Sequence, residues 1–174
     1  FFFFFKGASI SYLHVAQSLA EDAHNFDLRC IAYDRYAFRR GLEPACNELG
    51  LVLGFVEHPQ GGTKKGKPTD AMKEAAESAA REAEGLWMPG SVRQTEELIL
   101  ERRLRIKRNP ALISAIMSAV TDEDRWENRW LSKDRAVNKI DGAVALCMAV
   151  GAAVALADGG SISVDDWIAG MAPA

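Results

Sequence analysis

Two aspartates carry the residue chemistry of greatest interest. Asp34 closes a short apolar run from Leu28 to Tyr33, and Asp141 stands at the head of a long apolar one. An aspartate at the C-terminal tip of a buried parallel strand lies where open α/β sheets place their ligands, and carboxylate oxygens are the donors that magnesium and manganese prefer. Asp34 is therefore a candidate metal ligand. Asp141 falls near the first turn of a predicted helix, where it either offsets the helix dipole and caps the turn or serves as a second ligand. Two carboxylates from distant parts of the chain, brought to one sheet edge, can hold metal ions for phosphodiester hydrolysis.

Cationic side chains gather in two places. Arg102, Arg103, Arg105, Lys107 and Arg108, with Arg93 upstream, outnumber Glu96, Glu97 and Glu101. Such a run either displaces counterions from a DNA backbone or is a solvated face. The second place is Gly61-Gly62-Thr63-Lys64-Lys65-Gly66-Lys67-Pro68, which nearly spells the phosphate-loop pattern GxxxxGK[ST]. Pro68 offers neither a hydroxyl for magnesium nor an N–H for a phosphate oxygen, so a nucleotide site is disfavoured and stands only as a third reading that absence of ATP binding would exclude. What is left is a basic loop, with Gln60, Lys64, Lys65 and Lys67 either near DNA or simply solvated. Arg35 can steady the phosphate field beside Asp34. His14, His24 and His58 lack zinc-ligand spacing, and no GxSxG elbow occurs, so structural roles are expected for the histidines and a serine triad has no support.

These residues need elements to position them. Ile10, Leu13, Val15, Leu19 and Ala23 recur at near-helical spacing from Ser9 to Phe26. Leu28 to Tyr33 reads as a buried strand, Arg35 to Leu49 as a helix strained at its middle by Pro44 and stopped by Gly50, and Leu51 to Val56 as a second strand. Strand, helix and strand with short links form a βαβ unit, which requires a parallel pair. Further on, the pattern predicts a loop over Pro59 to Pro68, a helix from Thr69 to Ala83, a break at Trp87 to Gly90, and a helix capped by Ser91 and running to Glu101. Leu104 and Ile106 alternate with Arg105 and Lys107 as in a short strand. Leu112 to Val120 reads as a helix, Thr121 to Arg135 as an exposed hairpin or loop, Ala136 to Ala157 as a long helix, and 158–174 as a tail with a short helix.

A chain of 174 residues with 48% apolar and 26% charged side chains is long enough for one domain with a real core, and this composition excludes disorder. A single domain over 1–174 is the expectation. A formal net charge of −3 means that any DNA contact must come from a local patch. Cys30, Cys46 and Cys147 form no CxxC pair and read as buried thiols of a cytosolic protein. The apolar run from Ala143 to Ala157 is too short to span a bilayer, and its Ala/Gly content suits a closely packed core helix. Residues 1–8 begin with five phenylalanines, an abnormal start that lacks the basic region of a signal peptide.

Four segments in order resemble a known family: Ile31-Ala32-Tyr33-Asp34-Arg35, Gly85-Leu86-Trp87-Met88-Pro89-Gly90-Ser91, Arg105-Ile106-Lys107-Arg108-Asn109-Pro110 and Lys139-Ile140-Asp141-Gly142-Ala143. Across residues 9–157 the chain resembles the C-terminal nuclease domain of phage terminase large subunits. That resemblance implies an α/β, RNase H-like mixed sheet flanked by helices, and a metal-dependent endonuclease that cuts concatemeric double-stranded DNA in the cytoplasm of a bacterial host. It implies two Mg2+ or Mn2+ ions held by three acids, of which Asp34 and Asp141 match the second and third. The first has no counterpart in Phe1 to Lys6, so the expectation is a domain lacking its first strands and cutting poorly alone. The portal, the small terminase subunit and an oligomeric packaging motor are the implied partners. A catalytically incomplete fragment acting in DNA binding or motor assembly is the alternative.

Overall fold

The computed structural model describes residues 11–34, 36, 38–60, 86–124 and 127–158. Arg35, Lys64, Lys65, Lys67, the Phe-rich start, the expected helix from Thr69 to Ala83 and the tail beyond residue 158 lie outside the described residues. The chain divides into two compact units, the first ending at His58 and the second beginning at Pro59.

In the first unit, helix α1 (Tyr12–Asn25) precedes strand β1 (Ile31–Tyr33), and strand β2 (Phe55–Glu57) pairs with β1 in parallel, with Ile31 opposite Phe55 and Tyr33 opposite Glu57. The parallel pair expected of a βαβ unit is present, but both strands are shorter than their apolar runs. Val52 is almost fully exposed, and the pairing begins only after Gly54, whose carbonyl accepts the Ile31 N–H at 2.7 Å. A Cβ at Gly54 would lie 3.0 Å from the Arg29 carbonyl oxygen, so glycine allows this approach.

The connection departs from the single helix expected over Arg35 to Leu49. A π-helical turn (Phe38–Leu42) leads into a short helix α2 (Glu43–Glu48), and Pro44 lies in the first turn of α2 rather than straining a helix middle. Proline cannot donate an N–H, and it is tolerated where a helix begins because that N–H has no intrahelical partner there. Gly50 ends α2 as expected, at φ +65°. The Leu51 N–H reaches the Cys46 carbonyl at 3.0 Å and the Gly50 N–H reaches that of Asn47 at 3.0 Å, the two bonds of a Schellman turn. Ala16, Ala45 and Cys46 form the core of this unit, with Leu19, Leu42, Leu51 and Phe55 packed around them. Tyr33 stacks on Phe38 at 3.7 Å, and Phe55 meets Phe38 edge-on at 4.9 Å, which fixes the end of β1.

Among the described residues, the second unit is helical with one hairpin. Helix α3 (Met88–Leu100) packs against helix α5 (Asp141–Asp158), helix α4 (Pro110–Met117) rests on α5, and the antiparallel hairpin of β3 (Thr121–Glu123) and β4 (Arg129–Leu131) packs on α3. The hairpin fulfils one of the two readings of Thr121 to Arg135. Helix α3 begins at Met88 with Pro89 in its first turn, so Trp87 to Gly90 starts the helix instead of breaking it. Ser91 is consequently a buried helical residue whose carbonyl accepts the Thr95 hydroxyl at 2.7 Å, not the cap. Asn109 caps α4, accepting the N–H groups of Ala111 at 2.9 Å and Leu112 at 3.1 Å, with Pro110 next in line.

Leu104 to Lys107 forms no strand; with no strand beside them among the described residues, alternating side chains alone do not make one. Residues 103–109 connect α3 to α4 without regular structure. Helix α5 begins at Asp141, five residues later than its apolar pattern allowed. Gly142, Ala143, Gly151, Ala152 and Ala153 are all buried on it, so small side chains let α3 and α4 come close. Met88, Val92, Leu98, Ala115, Val144, Cys147 and Met148 fill the space between. Buried Leu, Ile or Met side chains typically cost about 2–5 kcal/mol when cut to alanine. No helix among the described residues is long and apolar enough to cross a membrane.

Candidate functional site

Asp34 directly follows β1 and is half-buried. Its Oδ1 accepts the Tyr36 N–H at 3.3 Å, closing a local turn. The sheet end around it is well fixed: the His58 N–H extends the parallel ladder to the Tyr33 carbonyl at 2.8 Å, and Tyr33 is clamped by Phe38. His58, read from sequence as structural, is fully buried at the end of β2.

Asp141 is the first residue of α5, exposed, and placed where a carboxylate favourably meets the helix dipole. Its neighbours Ile140 and Gly142 are buried, and the Ile140 carbonyl accepts the Val144 N–H at 3.0 Å, so the backbone under Asp141 is held by the core. Its Oδ1 pairs with the Lys133 ammonium at 3.0 Å. Lys133 has a fixed base of its own. Ser132 before it is buried, with its N–H on the Val120 carbonyl at 2.8 Å. Arg135 after it reaches Asp122 at 2.7 Å and the Thr121 carbonyl at 3.3 Å, and Asn138 reaches the Ser118 hydroxyl at 3.0 Å. Hydrogen bonds from Arg135 and then Ser132 hold the Asp122 carboxyl below its usual range.

Sequence reasoning missed Lys133. It precedes Asp141 across an irregular connection, where no periodicity links them. It missed the Glu96–Arg129 pair for the same reason: this two-pronged contact, 2.9 Å at one prong, ties α3 to β4 across half-exposed side chains.

The basic candidates are placed as follows. Arg102, Arg103, Arg105, Lys107 and Arg108 are all exposed, on and after the turn that ends α3. Arg103 also contacts Glu101 at 3.0 Å. Gln60 is half-buried, and its amide donates to the Met148 sulfur at 3.8 Å, a weak contact directed toward α5.

Among the described residues, no three His, Cys, Asp or Glu side chains gather as a metal-binding group. Asp141, however, already holds a cation, the ammonium of Lys133, on an exposed hard-oxygen donor. Its chemistry fits a magnesium or manganese ion in the same place.

Comparison with known proteins now bears on these placements. The family profile described as "Terminase large subunit, endonuclease domain" matches residues 83–156. Over 147 residues, 84% of the chain, it is 33% identical to the terminase large subunit of Enterobacteria phage HK97. Residues 83–156 therefore match the endonuclease domain of terminase large subunits.

The solved structure of the HK97 bacteriophage large terminase agrees with the chain at a TM-score of 0.65 and 32% identity over 84% of its length. The fold is therefore RNase H-like, as the resemblance implied. The chain spans about a quarter of these relatives, 24% of the HK97 protein by sequence and 26% of the solved chain. The terminase profile includes Asp141, Lys133 and the whole basic run from Arg102 to Arg108, whereas Asp34 lies ahead of it.

Proposed function

We propose that this chain is the nuclease region of a phage DNA-packaging terminase large subunit and cuts concatemeric double-stranded DNA. The observation that carries the proposal is its likeness, in both sequence and fold, to the HK97 large terminase over 84% of its length. Asp34 and Asp141 are the residues that would hold Mg2+ or Mn2+. When bound, such ions supply the Lewis acidity that activates water and neutralises charge developing on the leaving oxygen. The chain's own contribution is placement. The clamped end of β1 fixes Asp34, the buried start of α5 fixes Asp141, and the exposed arginines and lysine from Arg102 to Arg108 attract the phosphate backbone without reading its sequence. The portal, the small terminase subunit and the host cytoplasm belong to the same proposal.

A second reading, binding or motor assembly without cutting, is favoured by one observation: no three-donor metal group occurs among the described residues. Incubating supercoiled plasmid with the chain in Mg2+, Mn2+ or chelator separates the two. Metal-dependent nicking supports the nuclease reading. Retarded but intact plasmid under all three conditions supports the binding one.

A further inference from the structure

We propose that Lys133 is a built-in counter-ion for Asp141, occupying the carboxylate until a divalent ion displaces it and thereby setting how tightly this site takes metal. The proposal rests on the reading of Asp141 as a metal ligand. It deepens that reading by naming a positioning residue.

Three observations carry it. The Lys133 ammonium stands 3.0 Å from Asp141 Oδ1, the distance of a direct ion pair. The turn that presents Lys133 is not a loose surface segment. Its two ends are tied down by the buried Ser132 and by Arg135 on Asp122 and Thr121, so the lysine emerges from a fixed backbone. Asp141, finally, is set on a helix start anchored by buried Ile140 and Gly142. Two fixed backbones therefore bring the two side chains within reach of each other, and the pair still carries the side-chain ordering cost of a surface pair.

Competition follows from charge. An ammonium and a hard dication seek the same oxygens, and a lysine that remains close after displacement repels the incoming ion. Both side chains are more than half exposed, so the effect is limited to the range of a surface pair, about two- to five-fold in affinity. A lysine in this position also keeps the carboxylate neutralised while the site is empty.

The test is Mn2+ binding followed by electron paramagnetic resonance on the full chain, with circular dichroism to confirm folding. Lys133→Met should bind Mn2+ about two- to five-fold more tightly than wild type. Lys133→Arg keeps the charge and should stay near wild type. Lys139→Met removes an equal charge two residues from Asp141 without touching the pair, and should change affinity less than Lys133→Met. Unchanged or weaker binding in Lys133→Met overturns the proposal, as does an equal gain in Lys139→Met, which would mean net charge alone is at work. Asp141→Asn separates the two levels of inference. If it weakens Mn2+ binding while Lys133→Met has no effect, only the counter-ion role falls. If it leaves binding untouched, Asp141 is not a ligand and both fall. In wild type, where no variant has to fold, Mg2+ should shift the nitrogen resonance of the Lys133 ammonium, and a signal unmoved by saturating Mg2+ contradicts displacement.

Discussion

Gly50 and Arg102 occupy the same position at the ends of two helices, and they make an internal comparison at the scale of single residues. Each sits in the left-handed region, Gly50 at φ +65° and Arg102 at φ 59°. Each begins the same pair of bonds: Arg103 N–H to Leu98 at 2.9 Å and Arg102 N–H to Ile99 at 3.0 Å repeat the turn at Gly50. Glycine adopts this conformation freely, while a side chain there costs about 1 kcal/mol. Space is open around Gly50, so Gly50→Ala should lose only that backbone term, about 1 kcal/mol in urea unfolding. Arg102→Gly should gain a similar amount yet weaken DNA binding. An arginine kept at a strained position is what a phosphate contact would require, and a gain in stability with DNA affinity unchanged would remove Arg102 from the contact set. The glycine signal was available in sequence, since Gly50 follows an apolar helical pattern. The strain at Arg102 was not, because nothing marks an arginine as left-handed.

The thiols make a second prediction at this scale. Burial pushes the Cys147 thiol above the 9.0 of an unperturbed one; a hydrogen bond with Thr95 offsets part of that rise and Glu96 adds to it. A raised folded value means that the neutral thiol favours the folded state fully below pH 9.0, and that this contribution is lost as pH rises through the folded value. Stability should therefore fall as pH rises above 9.0, and Cys147→Ala should show a shallower fall than wild type by urea titration. An equal slope in both would mean that Cys147 ionises as readily folded as unfolded.

Among the elements, those with strong periodic patterns were legible and those that depend on partners were not. Helix α1, the parallel pairing of β1 with β2 and the apolar body of α5 followed from residue spacing alone. The π turn at Phe38–Leu42, the helix start at Met88 and the absence of a strand at Leu104 to Lys107 turned on proline placement and on which strands lie alongside, and one chain read in one dimension carries neither. The irregular connector from Arg103 to Asn109 leaves Arg103, Arg105, Lys107 and Arg108 exposed. If it lies along a DNA backbone, replacing Arg102, Arg103 and Arg105 together with alanine should weaken binding similarly for all sequences. It should also flatten the dependence on salt by up to about three counterions' worth. A salt slope unchanged by the triple substitution would return the connector to a plain solvated surface.

At the scale of the whole molecule, the candidate site was legible only in part. Asp34 and Asp141 stood out because each ends or begins an apolar run, and the structure places each of them at the end of an element. Lys133 could not have been found, since its relation to Asp141 exists only after the hairpin and its following turn are folded. We propose that these two aspartates support metal-dependent cutting of duplex DNA. The most direct measurement is conversion of supercoiled plasmid to nicked and linear forms by wild type, Asp34→Asn and Asp141→Asn, each checked by circular dichroism, in Mg2+ and in Mn2+. The account predicts slow, chelator-sensitive conversion by wild type and none by either folded variant, because asparagine keeps the shape of the ligand and removes its charge. Cutting that survives in either variant, that persists in chelator, or that is absent from wild type in both metals would contradict it.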